Sequence, residues 1–258
     1  MQGVSQPAWH KGENLKAIAS INARMGSTRL PGKVMMNIGD KTVLDHIVDR
    51  LRLCTTLHDI CLATTFMPED DILEAWAHSK GIPCFRGEVD DVLKRTVDAH
   101  RQMGSSVVVR VCGDTPFIDP ETIDFEILMI KHDEADICMS TNRRKFPHGT
   151  TAHVCKFSDL EWIEANIQDP IAREHVTLYL YEHPEKYRVY EIQGCEQWEC
   201  EGQRLQIDYK EDLEVAQHVY RAIGDKVSIG DIVKFLRSPE GKRVREINAH
   251  CAETIVRK

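Results

Sequence analysis

The first half of the chain alternates short apolar runs with segments whose apolar residues recur every three or four positions. The apolar runs predict strands over residues 15–21, 59–65, 83–85, 106–112 and 135–140. The segments between them predict helices over 42–54, from Pro68 to Gly81, over 90–103, and from Pro120 onward. Such regular alternation is typical of an α/β fold with a doubly wound, mostly parallel sheet.

The second half of the chain is less regular. It predicts helices over 157–167, from Arg173 to His183, over 210–223 and over 228–236, with strands at 187–192 and 204–207. Ser228 is expected to cap the last of these helices, with Asp231 at its third position. We find no internal repeat, low-complexity tract or interdomain linker. The sequence therefore predicts a flexible lead over residues 1–14 and a single domain over 15–258.

Charged residues that could contact a ligand follow several predicted strands. In a doubly wound sheet, ligands bind beyond the carboxyl ends of the strands. Arg24, Arg86 and Asp114 each come just after a proposed strand. We therefore expect the sheet to gather them at one edge.

The loop over residues 23–33 has the composition of a phosphate site. It carries Arg24, Ser27, Arg29 and Lys33 among two glycines and a proline. Arginine offers a planar fork of donors and lysine a mobile point charge, a combination that suits a triphosphate. The loop is not a Walker A motif, because five residues separate Gly26 from Gly32 and a valine follows the lysine. The alternative is a solvated, arginine-rich turn.

Two aspartates are candidate metal ligands. Asp114 ends the most apolar strand, where the core has no use for a carboxylate, and Asp208 follows the strand-like run over 204–207. Two carboxylates beside a cationic phosphate loop suit Mg²⁺, which is held by few protein ligands together with nucleotide phosphates. The alternative is that each aspartate caps the helix that follows it.

Composition narrows the class of protein. The formal net charge of −8 argues against general nucleic-acid binding. No apolar run approaches the length that spans a membrane, and the N-terminus lacks the apolar region of a secretory signal. Nine scattered cysteines, an odd number without a C-x-x-C pair, indicate reduced thiols and a cytoplasmic location.

Several motifs, taken in order, resemble the cytidylyltransferase family that activates sugar acids. Within it the chain is most similar to the branch of spore-coat polysaccharide biosynthesis protein F-like enzymes, related to CMP-KDO and CMP-sialate synthetases. The resemblance covers roughly residues 16–223. It rests on Ala23-Arg24 with residues 27–33, Phe85-Arg86-Gly87 with residues 91–93, residues 113–116, residues 173–177, and Arg204-Leu205 with Asp208 and residues 211–213.

The resemblance implies a nucleotide-diphospho-sugar transferase-like fold, a homodimer, CTP as substrate and Mg²⁺ as cofactor. It implies that Arg24, Ser27, Arg29 and Lys33 hold the triphosphate, with Arg24, Lys33 and Asp114 taking part in catalysis. Arg86 would lie near the cytosine, and Asp114 and Asp208 would bind Mg²⁺. An oxygen of an acidic acceptor would attack the α-phosphorus and release pyrophosphate.

The acceptor stays open because the sequence departs from the family pattern after Pro147. Where the sugar-acid branch often has a Gly-Leu-Asp-like element, this chain has His148-Gly149-Thr150-Thr151-Ala152. Carboxylated sugars, phosphorylated sugars, phosphonates and phosphorylated small metabolites all fit. His148, Arg173 and His175 are candidate acceptor contacts, although Arg173 could instead form a local ion pair at a helix start.

Two other functions compete with cytidylyl transfer. A glycosyltransferase of the related nucleotide-sugar fold would normally carry a D-x-D motif, and residues 113–116 lack its second aspartate. A nucleotide-binding module without turnover is the non-enzymatic alternative. The intact set of cationic and acidic candidates argues against such a loss of activity.

Overall fold

A seven-stranded sheet lies at the centre of the molecule. The computed structural model describes residues 15–140, 146–194, 200, 202–225 and 227–256, without the side chains of 250–256. The sheet strands are β1 (Ala17–Asn22), β4 (Asp59–Thr65), β5 (Cys84–Gly87), β6 (Val107–Cys112), β7 (Ile137–Met139), β8 (His153–Lys156) and β9 (Val189–Glu191). Two short strands, β2 (Asn37–Ile38) and β3 (Lys41–Thr42), form a separate hairpin.

The sheet is mostly parallel, as the sequence predicts. Its strand order is β5-β4-β1-β6-β8-β7-β9. The four strands of the first half pair in parallel, and β8 pairs antiparallel with both β6 and β7. Strands from both halves of the chain share this one sheet. The division into a lead and a single domain stays a prediction, and the predicted lead over 1–14 lies outside the described residues.

Helices cover both faces of the sheet. They are α1 (Val43–Leu51), α2 (Asp71–Ser79), α3 (Val92–Met103), α4 (Pro120–Lys131), α5 (Phe157–Asn166), α6 (Pro170–His175), α7 (Leu178–Glu182), α8 (Lys210–Ile223), α9 (Ile229–Arg237) and α10 (Lys242–Val256). Side chains alternate along β6 between two core clusters. Val107, Val109 and Val111 pack in the larger cluster, whereas Val108 packs with Leu93 and Val97 of α3.

Most predicted elements occur within a residue or two of their expected bounds. The capping prediction for α9 is confirmed, since Ser228 Oγ accepts a hydrogen bond from Asp231 N at 3.1 Å and Asp231 Oδ2 accepts one from Ser228 N at 3.0 Å. These elements have strong periodicity or a defined capping signal, which local sequence encodes directly.

Two predictions in the second half are wrong, and one strand was not predicted. The helix expected from Arg173 to His183 is two short helices, α6 and α7, separated at Val176, whose φ is +54°. Val176 is fully buried in the second core cluster, so tertiary packing overrides the helical pattern. The strand expected over 204–207 is an extended segment with one isolated bridge from Arg204 to His148. Strand β8 was not predicted at all.

The described helices include no candidate for a membrane span. None of them combines the length and the apolar composition that crossing a bilayer requires.

Candidate active site

The loop over residues 23–33 folds back on itself after β1. The backbone N–H groups of Ser27 and Gly32 both donate to Met25 O, at 2.8 and 2.9 Å. Met25 N donates to Asp70 Oδ1 at 2.7 Å, which fixes the loop to the turn before α2. Gly32 has a φ of +70°, a left-handed conformation that glycine adopts without strain. This turn returns Lys33 toward the carboxyl ends of the central strands.

Asp114 reaches the same place because two strand ends approach closely. Gly113 follows β6, and its N–H donates to Asn22 O at 2.9 Å. A Cβ atom added at Gly113 would lie 2.6 Å from Ala23 Cβ and 3.0 Å from Asn22 O. Only glycine fits there, and the next residue is therefore held beside the loop.

The segment over 204–208 brings the second carboxylate. Ile207 N donates to Asp114 O at 2.9 Å, so the two aspartate-bearing segments are joined through their backbones. On its other side the segment is held by His148, whose carbonyl accepts from Leu205 N at 2.7 Å and Gln206 N at 3.2 Å. His148 thus supports the segment through its main chain.

The ammonium of Lys33 lies between the two carboxylates. Lys33 Nζ donates to Asp114 Oδ2 at 2.6 Å and to Asp208 Oδ1 at 2.8 Å. Lys33 is 8% exposed and Asp208 is 4% exposed. Asp208 also accepts from Arg29 Nη2 at 2.6 Å and from Arg204. Residues far apart in the chain therefore meet as a compact group of opposite charges.

Neither aspartate caps a following helix, so the capping alternative is wrong. The cap of α4 is Asp119, whose Oδ2 accepts from Thr122 N at 2.9 Å. Asp212 accepts from Asp208 N and Tyr209 N at the start of α8. Burial acts to raise the pKa of Asp208, but the hydrogen bonds and charges of Lys33 and Arg204 outweigh it and hold that pKa below its usual value. Asp208 is therefore ionised at neutral pH.

A cavity of about 370 Å³ opens at this edge of the sheet. Its walls include the phosphate loop, the end of β6 and the end of α6, from which Glu174 and His175 reach it. Three carboxylates line the cavity, together with five cationic side chains: Arg24, Arg29, Lys33, Arg95 and Arg110. A protein of formal charge −8 thus concentrates cations at one concave site, as the binding of a phosphate-rich ligand requires.

Arg86 does not line this cavity. It lies in β5, where its Nη1 pairs with Asp71 Oδ1 at 2.7 Å and Glu74 Oε2 at 2.8 Å, and its Nε donates to Thr65 O at 2.7 Å. The structure therefore separates it from the loop residues with which the sequence groups it. Its role near the cytosine stays a prediction.

Some of the candidate acceptor residues line the cavity and others do not. His175 lines the cavity, whereas Arg173 and His148 are not among the lining residues. Arg173 contacts Asp91 Oδ2 through Nε at 2.9 Å and through Nη2 at 2.6 Å, and its Nη1 donates to two carbonyls at the end of α5. Arg173 therefore forms a long-range ion pair with Asp91 near the C-terminal end of α6, rather than a local pair at a helix start.

Sequence reasoning missed several polar residues of the cavity, among them Gln206, Arg95 and Arg110. Gln206 Nε2 donates to Asp114 Oδ2 at 3.3 Å, while Arg95 and Arg110 reach the cavity from α3 and β6. The signal for Arg110 was a single charge inside an otherwise apolar strand, over residues 106–112. A lone charge at such a position requires a partner or a ligand.

The family model for cytidylyltransferases matches residues 18–231 of this chain. The chain belongs to the cytidylyltransferase family. It is 36% identical to the spore coat polysaccharide biosynthesis protein SpsF of Bacillus subtilis over 233 residues, which cover 88% of this chain and 96% of that protein. The enzyme is therefore a nucleotidyltransferase, and family membership favours cytidylyl transfer over the glycosyltransferase alternative.

Solved structures of cytidylyltransferases have the same fold. A cytidylyltransferase of Leptospira borgpetersenii superposes with a TM-score of 0.81 at 29% identity, covering 90% of this chain and 96% of that one. A CMP-2-keto-3-deoxy-manno-octonic acid synthetase, solved in complex with CTP, superposes with a TM-score of 0.61 at 16% identity, covering 80% of this chain and 99% of that one. The nucleotidyltransferase fold expected from the sequence is confirmed.

Proposed function

We propose that this cytidylyltransferase transfers CMP from CTP to an acidic small-molecule acceptor, with Mg²⁺ as cofactor. The observation that carries the proposal is the position of Lys33. Its ammonium lies at the end of the predicted phosphate loop and contacts both candidate metal ligands, at 2.6 and 2.8 Å. The family and the CTP complex of a protein with the same fold support CTP as the donor.

The residues at this site fit a divalent cation. Asp114 Oδ1 is buried without a hydrogen-bond partner, and the ammonium of Lys33 occupies a position that attracts positive charge. Hard oxygen donors from two carboxylates are the ligands that Mg²⁺ prefers, with phosphates and waters completing its shell. No group of three or more acidic, histidine or cysteine side chains suited to a metal occurs in the described part of the chain. The unpartnered Oδ1 of Asp114 and the cation held between the two carboxylates support the proposal that Asp114 and Asp208 bind Mg²⁺.

The protein's contribution to the reaction is positioning and charge. Arg24, Ser27 and Arg29 would hold the phosphates of CTP, and Lys33 would neutralise the charge that builds on departing pyrophosphate. The acceptor oxygen forms a bond to the α-phosphorus, and the bond from that phosphorus to the β-phosphate oxygen breaks. When bound, Mg²⁺ supplies a positive charge at the α-phosphate. The mechanism needs no covalent intermediate with a serine or cysteine.

A coupled assay of pyrophosphate release tests this function. The purified enzyme is given CTP, Mg²⁺ and a panel of sugar acids, phosphorylated metabolites and phosphonates. We expect release with CTP but not with ATP, GTP or UTP, and loss of release with EDTA. Asp114→Asn should reduce kcat by about 10²–10³-fold, a typical effect of removing one electrostatic contact to the transition state. Full activity of that variant would refute the metal assignment.

We extend the proposal to the pathway of the acceptor, the oligomeric state and the location in the cell. The name of the Bacillus subtilis relative suggests an acceptor used in polysaccharide biosynthesis. We also propose a homodimer in the cytoplasm, where CTP is made and where the seven cysteines that the structure describes as free would stay reduced. Light scattering after size exclusion tests the dimer, and cell fractionation tests the location.

A further inference from the structure

Arg110 lines the cavity and has no counter-ion among the residues that the structure describes. It belongs to β6, between Ser20 of β1 and His153 of β8 in the sheet register. Its Nε is buried without a hydrogen-bond partner, and no described carboxylate forms an ion pair with it. Glu174 lines the same cavity but is not within ion-pair distance of it. A partly buried guanidinium without a partner costs free energy unless a ligand completes its hydrogen bonds.

The neighbours of Arg110 do not neutralise it. The imidazole of His153 is fully buried, and burial, followed by the charge of Arg110, lowers its pKa to about 3, so it is neutral at pH 7. Arg95 is a second cation of the same cavity, with a buried, unpartnered Nε. Arg95 Nη1 donates to Glu88 O at 2.8 Å, but the Nε atoms of Arg95 and Arg110 have no protein acceptor, so both residues bring donors and positive charge to the cavity.

The position of Arg110 separates it from the proposed reaction centre. Asp114 lies just beyond the end of β6, whereas Arg110 lies two residues before that end, at Cys112. Two strand residues correspond to about 7 Å. Strand side chains stand roughly perpendicular to the sheet, so Arg110 leaves the backbone before the end of β6, beyond which Asp114 lies. Strand β6 pairs with β8 of the second half of the chain, and the end of α6 lines the same cavity, whereas the phosphate loop leaves β1.

We propose that Arg110 binds an anionic group of the acceptor that is distinct from the acceptor's reacting oxygen. The acceptor is thus a hydroxylated acid. Its hydroxyl oxygen bonds to the α-phosphorus near Asp114 as pyrophosphate leaves, and the hydroxyl proton passes to solvent. Its carboxylate, phosphate or phosphonate pairs with the guanidinium of Arg110. A planar fork of donors matches any of these three anions. This inference rests on the proposed function and deepens it.

A double-mutant cycle between enzyme and substrate tests the assignment. The acids used are 3-deoxy-manno-octulosonate, glycerol 1-phosphate and 2-hydroxyethylphosphonate, each compared with an uncharged ester of its acidic group. The variants are Arg110→Met and, as a control, Arg101→Met, whose arginine is a surface residue paired with Asp98 and Glu161. Arg110→Lys keeps the charge but loses the fork.

We expect Arg110→Met to raise the KM for the accepted acid by about 10- to 100-fold and to leave the KM for CTP within about twofold. In the wild type, the KM for the ester should exceed the KM for the acid by about the same factor. In Arg110→Met, the KM values for the acid and the ester should be alike. Arg101→Met should behave as wild type, and Arg110→Lys should fall between. The proposal would be overturned if the KM of Arg110→Met remained lower for the acid than for the ester. It would also be overturned if the substitution raised only the KM for CTP.

A binding measurement separates this proposal from the proposed function. The wild type is saturated with the α,β-methylene analogue of CTP and Mg²⁺, and thermal shifts are recorded with each acid. A shift with one acid that disappears in Arg110→Met supports the assignment even if turnover fails. If the wild type consumes CTP but Arg110→Met keeps the thermal shift with the acid, the assignment of Arg110 is refuted and the proposed function is not. If no acid shifts the wild type, the assignment is also refuted.

Discussion

Replacing Lys33 by methionine should destabilise the protein and also make Mg²⁺ more stabilising. In the wild type, the ammonium of Lys33 compensates two carboxylates in a site where its own side chain is 10% exposed. Lys33→Met keeps most of the length of the side chain and removes its charge. Asp208 would retain Arg29 and Arg204, but Asp114 would retain only the amide of Gln206, at 3.3 Å.

The size of the effect follows from burial. Removing one partner of a buried ion pair costs about 3–5 kcal/mol, and we take the lower end because Asp208 keeps two arginines. A loss of about 3 kcal/mol corresponds to a decrease of about 6–12 °C in Tm for a chain of this size. Mg²⁺ should recover more of this loss in the variant than it adds to the wild type, because no ammonium competes for the carboxylates.

Thermal unfolding followed by circular dichroism, with and without Mg²⁺, measures both effects. Lys41→Met is a matched control, because Lys41 also bridges two aspartates, Asp49 and Asp225, at 2.8 and 2.9 Å. That site is exposed, with side-chain exposures of 34%, 43% and 25%, so its loss should cost at most about 1 kcal/mol. Equal Tm values for Lys33→Met and Lys41→Met, or equal Mg²⁺ shifts in Lys33→Met and the wild type, would refute the reasoning.

Three further predictions concern single residues. Gly113→Ala should lower the free energy of unfolding by about 1–3 kcal/mol in urea titrations, since the new Cβ would lie 2.6 Å from Ala23 Cβ. Burial lowers the pKa of His100 to about 3, so its contribution to stability is present above its unfolded pKa and is lost as pH falls from about 6.5 toward 3. His100→Gln should therefore lose less stability than the wild type between pH 7 and pH 5, by about 2 kcal/mol in paired urea titrations. Arg173→Met should lower Tm and leave the KM for CTP unchanged, because its contacts are with Asp91 and the end of α5.

Local sequence encodes the first half of the fold well. The parallel strands are continuous apolar runs and the helices between them are amphipathic, so each period identifies its element without tertiary information. Strand β8 was missed because it is four residues long and ends in Lys156, a residue that reads as polar. In the structure Lys156 is 4% exposed and pairs with Asp136 at 2.6 Å, a long-range contact that no local pattern reveals.

The candidate site could be predicted only where topology decides its geometry. The rule that parallel strands present their carboxyl ends at one edge correctly brings Arg24 and Asp114 to one cavity, but Arg86 does not line it. It cannot tell whether an arginine at such an edge points into the cavity. Arg86 and Arg173 found carboxylate partners elsewhere, and Arg110, inside a strand, did not. Whether an arginine remains able to bind a ligand depends on where acidic residues distant in sequence lie in the fold.

The proposed function requires one site to accept both a metal ion and a triphosphate, and the arrangement of charges suits that requirement. The two carboxylates are fixed, because the backbone bond from Ile207 N to Asp114 O holds their segments together. The cations that neutralise them, Arg29 and Lys33, lie at the ends of long side chains on the loop. Under the proposed function, a divalent ion would replace these cations at the carboxylates while the cations turn to phosphate oxygens. Rotation of side chains costs much less than the separation of buried backbone segments, so the exchange of partners requires no change in the fold.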